Sequence, residues 1–292
     1  MNSKYRIWFL LFIALLSVSS SAIIVRYLPE LHAITIAFAR MSIAGILLWT
    51  FSIYKPQGRL PFKTRILTII SGVFLGIHFA FFFSAVKMTS LANATLFGTL
   101  APVFTIIINY LIYKNKINHK IIIGLMLSIL GGFIMQGFDI NFESQGFRGD
   151  LFAIICSFWM AFVLVITKKI RKSHGTLIYS RLLYFSASVT LLILIFILNI
   201  PLRVPTQQEF SFLLLLGFIP NILGHSILYY SIRYLPSSTV ASIPLGEPII
   251  VSILGLILFN EIIPLFVIIG GIIALLGLFL ILQNSDIENA DM

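Results

Sequence analysis

The sequence predicts an all-α membrane protein of ten transmembrane helices, built as two inverted five-helix repeats. Of its 292 residues, 59% are hydrophobic and only 10% are charged, whereas soluble domains carry roughly 25% charged residues. Continuous apolar runs of about 20 residues, the length that spans a bilayer as a helix, recur along the whole chain. Such runs favour helices over the short alternating strands of a membrane barrel. The third observation is that the two halves of the chain resemble each other.

Ten spans follow one another with short loops between them, and no loop is long enough to hold a soluble domain. They are predicted at 7–25, 33–54, 66–86, 91–113, 120–138, 149–168, 177–199, 211–232, 238–259 and 263–282. Lys4 and Arg6 before the first apolar run, and the small residues at 19–22, would also fit a cleaved signal peptide. We expect a retained span instead, because the repeat needs this helix.

The positive charges predict the orientation of the spans. With the amino terminus inside, most Lys and Arg residues fall in cytoplasmic segments, which is the usual bias of membrane proteins. The external loops hold only Arg26, Lys87, Arg148 and Arg203. The cytoplasmic ones are Lys4, Arg6, Lys55, Arg59, Lys63, Arg65, Lys114, Lys116, Lys120, Lys168, Lys169, Arg171, Lys172 and Arg233. The net charge of +10 is therefore explained by topology rather than by nucleic-acid binding, and we expect a multi-pass protein of a bacterial inner membrane with both termini cytoplasmic.

An internal repeat relates the two halves. Lys87, Pro102, Gly124 and Gly131 recur 146 residues later, and the matching residues are Arg233, Pro248, Gly270 and Gly277. We expect one repeat at 1–138, the second at 149–282 and a cytoplasmic tail at 283–292. Since five spans are an odd number, the second repeat enters the membrane from the opposite side. Such inverted repeats are typical of transporters that alternate between two open states around a site near the midplane.

Three stretches carry a family resemblance: AVKMTSLANATLFGTLAPVF at 85–104, GDLFAIICSFWMAFVLVITKK at 149–169 and SIRYLPSSTVASIPLGEPIIVSILGLILFNE at 231–261. They resemble the drug/metabolite transporter superfamily, specifically its ten-helix EamA type. The resemblance implies a central cavity lined by helices 1, 3, 4, 6, 8 and 9, and a cargo of amino acids, other metabolites or toxic compounds, often carried outward. Where the family often has Glu after the fourth helix this chain has Asn115, whereas Glu261 keeps the acid in the second half.

Ionisable residues inside spans are costly, so each is a candidate for function. Glu247 lies in the ninth span between Pro244 and Pro248, which distort the helix as Pro102 does in the fourth span. It could bind a substrate amine or a coupling proton, or be a structural acid paired with Arg40. Arg40 could bind a substrate carboxylate, serve as a buried counter-ion or extend its side chain to the interface.

Weaker candidates are polar or aromatic residues in other spans. His78 and His225 occupy comparable places in the two repeats and could line the cavity, or could simply be hydrogen-bonded packing residues. Asn93 is a candidate substrate ligand that could instead bond between helices, and Trp159 and Tyr229 are our candidates for aromatic cavity walls. Two histidines without further ligands do not predict a metal site, and no phosphate-binding loop or other cofactor motif is present in the sequence.

These observations predict a secondary transporter of a small organic solute, such as an amino acid or related metabolite, working by export or exchange. A broad-specificity drug efflux transporter is the alternative. A lipid-modifying membrane enzyme is less favoured, because the sequence shows no polar catalytic cluster. The partners expected are the solute and the bilayer, while proton coupling and a homodimer stay open.

Overall fold

The computed structural model describes residues 3–114, 118–136, 145–260 and 262–284, and within them all regular structure is helical. Asn115, Glu261 and the tail beyond residue 284 lie outside the described residues. The helices of the first half are α1 (Ser3–Arg26), α2 (Ala33–Tyr54), α3 (Phe62–Met88), α4 (Leu91–Gly98), α5 (Ala101–Tyr113) and α6 (His119–Gln136).

The second half begins with α7 (Gln145–Arg171) and α8 (Thr176–Ile197). Its third span combines α9 (Gln207–Leu216), a π-helix (Gly217–His225) and α10 (Ser226–Ser231), and its fourth combines α11 (Ser237–Ser242), a 3-10 turn (Ile243–Gly246) and α12 (Glu247–Phe259). The last helix is α13 (Leu265–Gln283). Nine segments of the described chain are long and apolar enough to cross a membrane, and α6 is a shorter apolar helix. The predicted ten-helix fold class is confirmed.

Apolar side chains cover the outside of the bundle, as lipid contact requires. Phe9, Ile53 and Phe279 are each more than half exposed, although they lie on helices whose opposite faces are buried. A soluble protein rarely exposes so large a continuous apolar surface. Buried polar side chains such as Arg40 and Glu247 lie in an interior that is otherwise largely apolar.

The inverted repeat is visible where α6 packs against α13. Gly124 lies opposite Gly277 and Gly131 lies opposite Gly270, so the two helices are antiparallel. Because residue 124 corresponds to 270 and residue 131 to 277, each contact occurs twice, as a two-fold axis in the membrane plane requires. A Cβ added to Gly131 would lie 2.5 Å from the Gly270 carbonyl oxygen, so only glycine permits this approach.

The helix ends repeat as well. Lys114 ends α5 and Asn260 ends α12, and both adopt the left-handed conformation, with φ of 51° and 52°. They are 146 residues apart, the same offset that relates the glycines.

The bundle has two ends, which we name by the lysines they carry. The Lys168 face holds the end of α7 and the start of α8, where Arg181 donates a 3.1 Å hydrogen bond to the Gly58 carbonyl. This bond joins the two basic loops that the charge pattern assigns to one side. The Lys87 face is the opposite end, where Asn93 at the start of α4 donates to Asp150 near the start of α7.

Candidate functional site

A cavity lies in the middle of the bundle, between the two repeats. All but one of the spans that line it are those that the resemblance implies; the exception is the second span, which contributes Arg40. Neither α6 nor α13 takes part. Space for water-sized molecules is about 50 Å³, room for only a few waters. The lining residues are Val18, Ser21, Arg40, His78, Phe79, Phe82, Gly98, Thr99, Ala101, Met160, Leu164, His225, Leu228, Val240, Ala241, Pro244 and Glu247.

Arg40 on α2 is fully buried and held by both repeats. Its Nε donates to Asn221 Oδ1 at 2.8 Å, and its Nη1 donates to Ser21 Oγ at 2.7 Å. Its guanidinium carbon lies 4.2 Å from the centre of the Phe79 ring, a cation–π contact. The remaining nitrogen, Nη2, has no hydrogen-bond partner among the described residues. Arg40 is therefore positioned through two nitrogens, with a third left for another acceptor.

Glu247 reaches the cavity because α12 begins there. The 3-10 turn Ile243–Gly246 interrupts the span just before it, as the two prolines predict. Glu247 is 8% exposed, and no donor to its carboxylate is found among the described residues. An ion pair with Arg40 is not formed either, so the two groups of opposite charge line one cavity without neutralising each other directly.

The first repeat contributes the matching helix break. Thr99 and Leu100 separate α4 from α5, and Gly98 and Ala101 on either side line the cavity. The repeat offset of 146 residues relates Gly98 to Pro244 and Ala101 to Glu247, and both of these residues line the cavity too. The two breaks therefore face one cavity, but only the second repeat supplies an acid.

The two histidines belong to the same cavity wall. Nδ1 of His78 lies 2.8 Å from the Cys156 carbonyl oxygen, so as the donor it leaves Nε2 for the cavity. His225 ends the π-helix, and its Nδ1 is buried without a partner among the described residues. Phe79 lies between them, with its ring centre 4.6 Å from that of His78 and 5.4 Å from that of His225. Short π-helical segments occur often at functional sites.

The remaining candidates lie away from the lining. Asn93 donates to Asp150 at 3.1 Å near the Lys87 face. Trp159 packs against Phe74, with ring centres 5.1 Å apart. Tyr229 is fully buried behind His225. Pro102 follows Ala101 at the first helix break, and Pro248 follows Glu247 at the second.

Sequence reasoning did not assign a site role to Ser21 or Phe79. Asn221 and Ser21 provide the acceptors that hold Arg40, and Asn221 also donates to the Arg40 carbonyl at 3.2 Å. The sequence signal that could have pointed to these acceptors was Arg40 itself, because a buried guanidinium needs acceptors on neighbouring spans.

Both ends of the cavity are closed. At the Lys87 face the Tyr27 ring stacks on Phe212, with centres 4.9 Å apart, and Lys87 donates to the Leu28 and Pro29 carbonyls. At the Lys168 face Lys168 donates to the Leu235 carbonyl at 3.0 Å. A solute can reach Arg40 and Glu247 only if the helices at one end move apart.

Comparison with known proteins shows which family has this architecture. The model of the EamA-like transporter family matches residues 6–136 and 147–283. A protein of Archaeoglobus fulgidus named an uncharacterized transporter is 28% identical over 293 residues, covering 96% of this chain and 98% of the relative. The uncharacterized transporter YdfC of Bacillus subtilis is 23% identical and covers 86% of this chain and 81% of the relative.

A solved crystal structure of a protein superposes with a TM-score of 0.76 at 18% identity, covering 95% of this chain and 98% of that one. At this identity the match shows the fold alone, and the fold agrees with the family match. The matched segments together span nearly the whole chain. This multi-pass membrane protein belongs to the EamA-like transporter family.

Proposed function

We propose that the chain is a secondary transporter that exports or exchanges an amino acid or a related metabolite by alternating access. The observation that carries the proposal is the pair Arg40 and Glu247. Two groups of opposite formal charge line one closed cavity in an interior that is otherwise largely apolar, and they are not paired with each other. Buried charges without partners are costly unless a ligand compensates them.

The chemistry of the cavity fits a zwitterion. Arg40 keeps Nη2 for a carboxylate, which it would contact through one nitrogen because Nε and Nη1 are engaged. The free Glu247 carboxylate can accept from an ammonium group. Phe82, Leu164 and Leu228 give the wall an apolar part that can contact an aliphatic side chain.

The proposal includes the arrangement in the membrane. The repeats at 1–138 and 149–282 are the two units that move against each other, and the Lys168 face is cytoplasmic in a bacterial inner membrane. The concentration of Lys and Arg at that face supports this orientation.

Transport is tested with purified protein in liposomes and a labelled mixture of the common L-amino acids. We expect uptake above that of protein-free liposomes, and a loss of at least about tenfold in initial rate for Glu247→Gln, since one lost charged contact is worth about that much. Glu209→Gln is the matched control, because Gln can replace Glu in the capping box that Glu209 forms with Thr206. Uptake no greater than in protein-free liposomes, or full activity of Glu247→Gln, would contradict the proposal.

A drug efflux transporter is the second candidate, favoured by Phe79 and Phe82, which line the cavity together with Glu247 and suit a lipophilic cation. Competition by L-leucine, isopentylamine and 4-methylpentanoate separates the two candidates. If the cavity binds zwitterions, leucine competes at least about tenfold better than the amine or the acid alone, because each lacks one charged contact. An amine that competes as well as leucine would favour cation efflux.

A further inference from the structure

A column of buried hydroxyl groups leads away from the cavity towards the Lys168 face. It starts at His225, whose ring centre lies 6.0 Å from that of Tyr229, one helical turn further on. The Tyr229 side chain is fully buried, and its hydroxyl has no hydrogen-bond partner among the described residues. Two polar groups in succession, His225 Nδ1 and Tyr229 Oη, are thus buried without a partner in the described chain.

The column continues on α8 and α7. The Tyr179 ring meets Tyr229 edge-on, with centres 5.9 Å apart. The Tyr179 hydroxyl lies 3.0 Å from Ser71 Oγ and 2.6 Å from Thr167 Oγ1. Arg171, one turn beyond Thr167, donates from Nε to the Tyr229 carbonyl and from Nη1 to the His174 carbonyl in the loop at the Lys168 face. Polar groups therefore follow one another from the cavity to the end of the bundle.

The other half of the bundle differs. Beyond the cavity towards the Lys87 face, the buried side chains of α1 and α3 include Val25, Leu28, Phe83 and Val86. These residues offer nothing that can accept or donate a proton. Among the buried residues that the structure describes on α1 and α3, none beyond the cavity on this side is polar.

We propose that this hydroxyl column is a proton path between the Lys168 face and the cavity, so that the solute movement proposed above is coupled to protons. A proton arriving at the Lys168 face binds a lone pair of the Tyr179 hydroxyl, which releases its own proton towards Tyr229. Tyr229 repeats the exchange and passes a proton to Nδ1 of His225. The imidazole releases its Nε2 proton into the cavity, where the Glu247 carboxylate takes it up.

Each relay group gains one proton and loses one, so the charge of the column is unchanged after each passage. Chains of ionisable and hydroxyl groups in membrane interiors mark such relays. The buried, unpartnered atoms of His225 and Tyr229 are the links that a brief rearrangement or a water molecule must complete. The titratable groups facing these two residues are Arg40, His78, Arg171, Tyr179, Tyr184 and Glu247.

Tyr229→Phe tests the path, because it removes the hydroxyl and keeps the ring. Tyr234→Phe is the matched control, since Tyr234 is also buried near the Lys168 face and, within the described part of the chain, its hydroxyl hydrogen-bonds only with that of Tyr230, at 3.4 Å. Both variants and the wild type are placed in liposomes with the labelled amino-acid mixture. One assay measures accumulation driven by an imposed pH gradient, and a second measures exchange at equal pH on both sides.

Because the inference rests on the proposed function, the exchange assay separates the two. We expect Tyr229→Phe to exchange at a rate within about twofold of the wild type and to lose at least about tenfold of gradient-driven accumulation, whereas Tyr234→Phe keeps both. Full accumulation by Tyr229→Phe, an equal fall in both assays, or a wild type indifferent to the pH gradient would overturn the proton path and leave transport standing. A wild type that neither exchanges nor accumulates would refute the proposed function itself, and the path with it.

Discussion

At the scale of single residues, the position of Arg40 depends on neutral partners. Ser21 accepts one of its hydrogen bonds at 2.7 Å. The hydroxyl of Ser19, also buried on α1, donates instead to the Leu15 carbonyl of its own helix, its one bond among the residues that the structure describes. We expect Ser21→Ala to lower the free energy of unfolding by about 1–2 kcal/mol, since it leaves a charged donor unsatisfied. We expect Ser19→Ala to change it by less than about 0.5 kcal/mol, because such back-bonds add little to a helix.

Unfolding by sodium dodecyl sulfate in mixed micelles measures both variants against the wild type. Equal stability of the two variants would show that the bond from Arg40 to Ser21 contributes nothing to holding the guanidinium.

The residue scale also shows how far the sequence identifies the site. Arg40 and Glu247 stand out because a charge in a span is expensive, and the structure brings both to one cavity with His78 and His225. The sequence does not reveal which face of a helix points inward. Trp159 was therefore predicted to line the cavity, whereas it packs among other aromatic rings. Ser21 gave no signal, because it is one of several serines in α1 that could equally serve close helix packing.

At the scale of elements, α6 and α13 depend on glycine at specific places. A Cβ on Gly270 would lie 2.4 Å from the Gly131 carbonyl oxygen and 2.6 Å from the Met135 nitrogen. On the neighbouring Gly271 a Cβ would meet only ordinary contacts, the nearest 3.5 Å from Ile249. We expect Gly270→Ala to destabilise the protein by about 1–3 kcal/mol through overpacking. Gly271→Ala should be neutral or stabilise by up to about 1 kcal/mol, because alanine favours the helix.

The thermal midpoint of the purified protein in detergent measures this difference. If the thermal midpoint of Gly270→Ala were no lower than that of Gly271→Ala, the close backbone approach of α6 and α13 would not be what holds the repeats together.

Element prediction from the sequence succeeds where one physical cause dominates. The length of the apolar runs predicts the spans to within a few residues, and Pro244 and Pro248 predict the break before α12. The π-helix over Gly217–His225 was not predicted, although Pro220 lies within it. A proline removes one donor from the helix ladder, but whether the chain then kinks, breaks or widens depends on the neighbouring helices, which the local sequence does not specify.

At the scale of the whole molecule, the repeat explains why two helix breaks meet at one cavity. Because the second repeat is inverted, the positions of Ala101 and Glu247 are equivalent by symmetry yet differ in chemistry. An exact two-fold arrangement would place an acid on both sides, where two like charges would repel each other. The single acid and the single arginine that line the cavity balance the formal charge of the site, while the scaffold keeps the two-fold symmetry of the repeat.

The orientation of the molecule in the membrane can be tested by cysteine labelling. With Cys156 replaced by alanine, single cysteines are introduced in place of Lys63, Lys172 and Arg203. The bond between Arg181 and Gly58 ties the loops near Lys63 and Lys172 to one end of the bundle, and the excess of positive charge predicts that this end is cytoplasmic. A membrane-impermeant maleimide should therefore label Arg203→Cys in intact spheroplasts of a bacterial host, and Lys63→Cys and Lys172→Cys only after permeabilisation.

Labelling of Lys172→Cys without permeabilisation, with Arg203→Cys protected, would reverse the orientation. Labelling of Lys63→Cys and Lys172→Cys from opposite sides would contradict the inverted repeat itself.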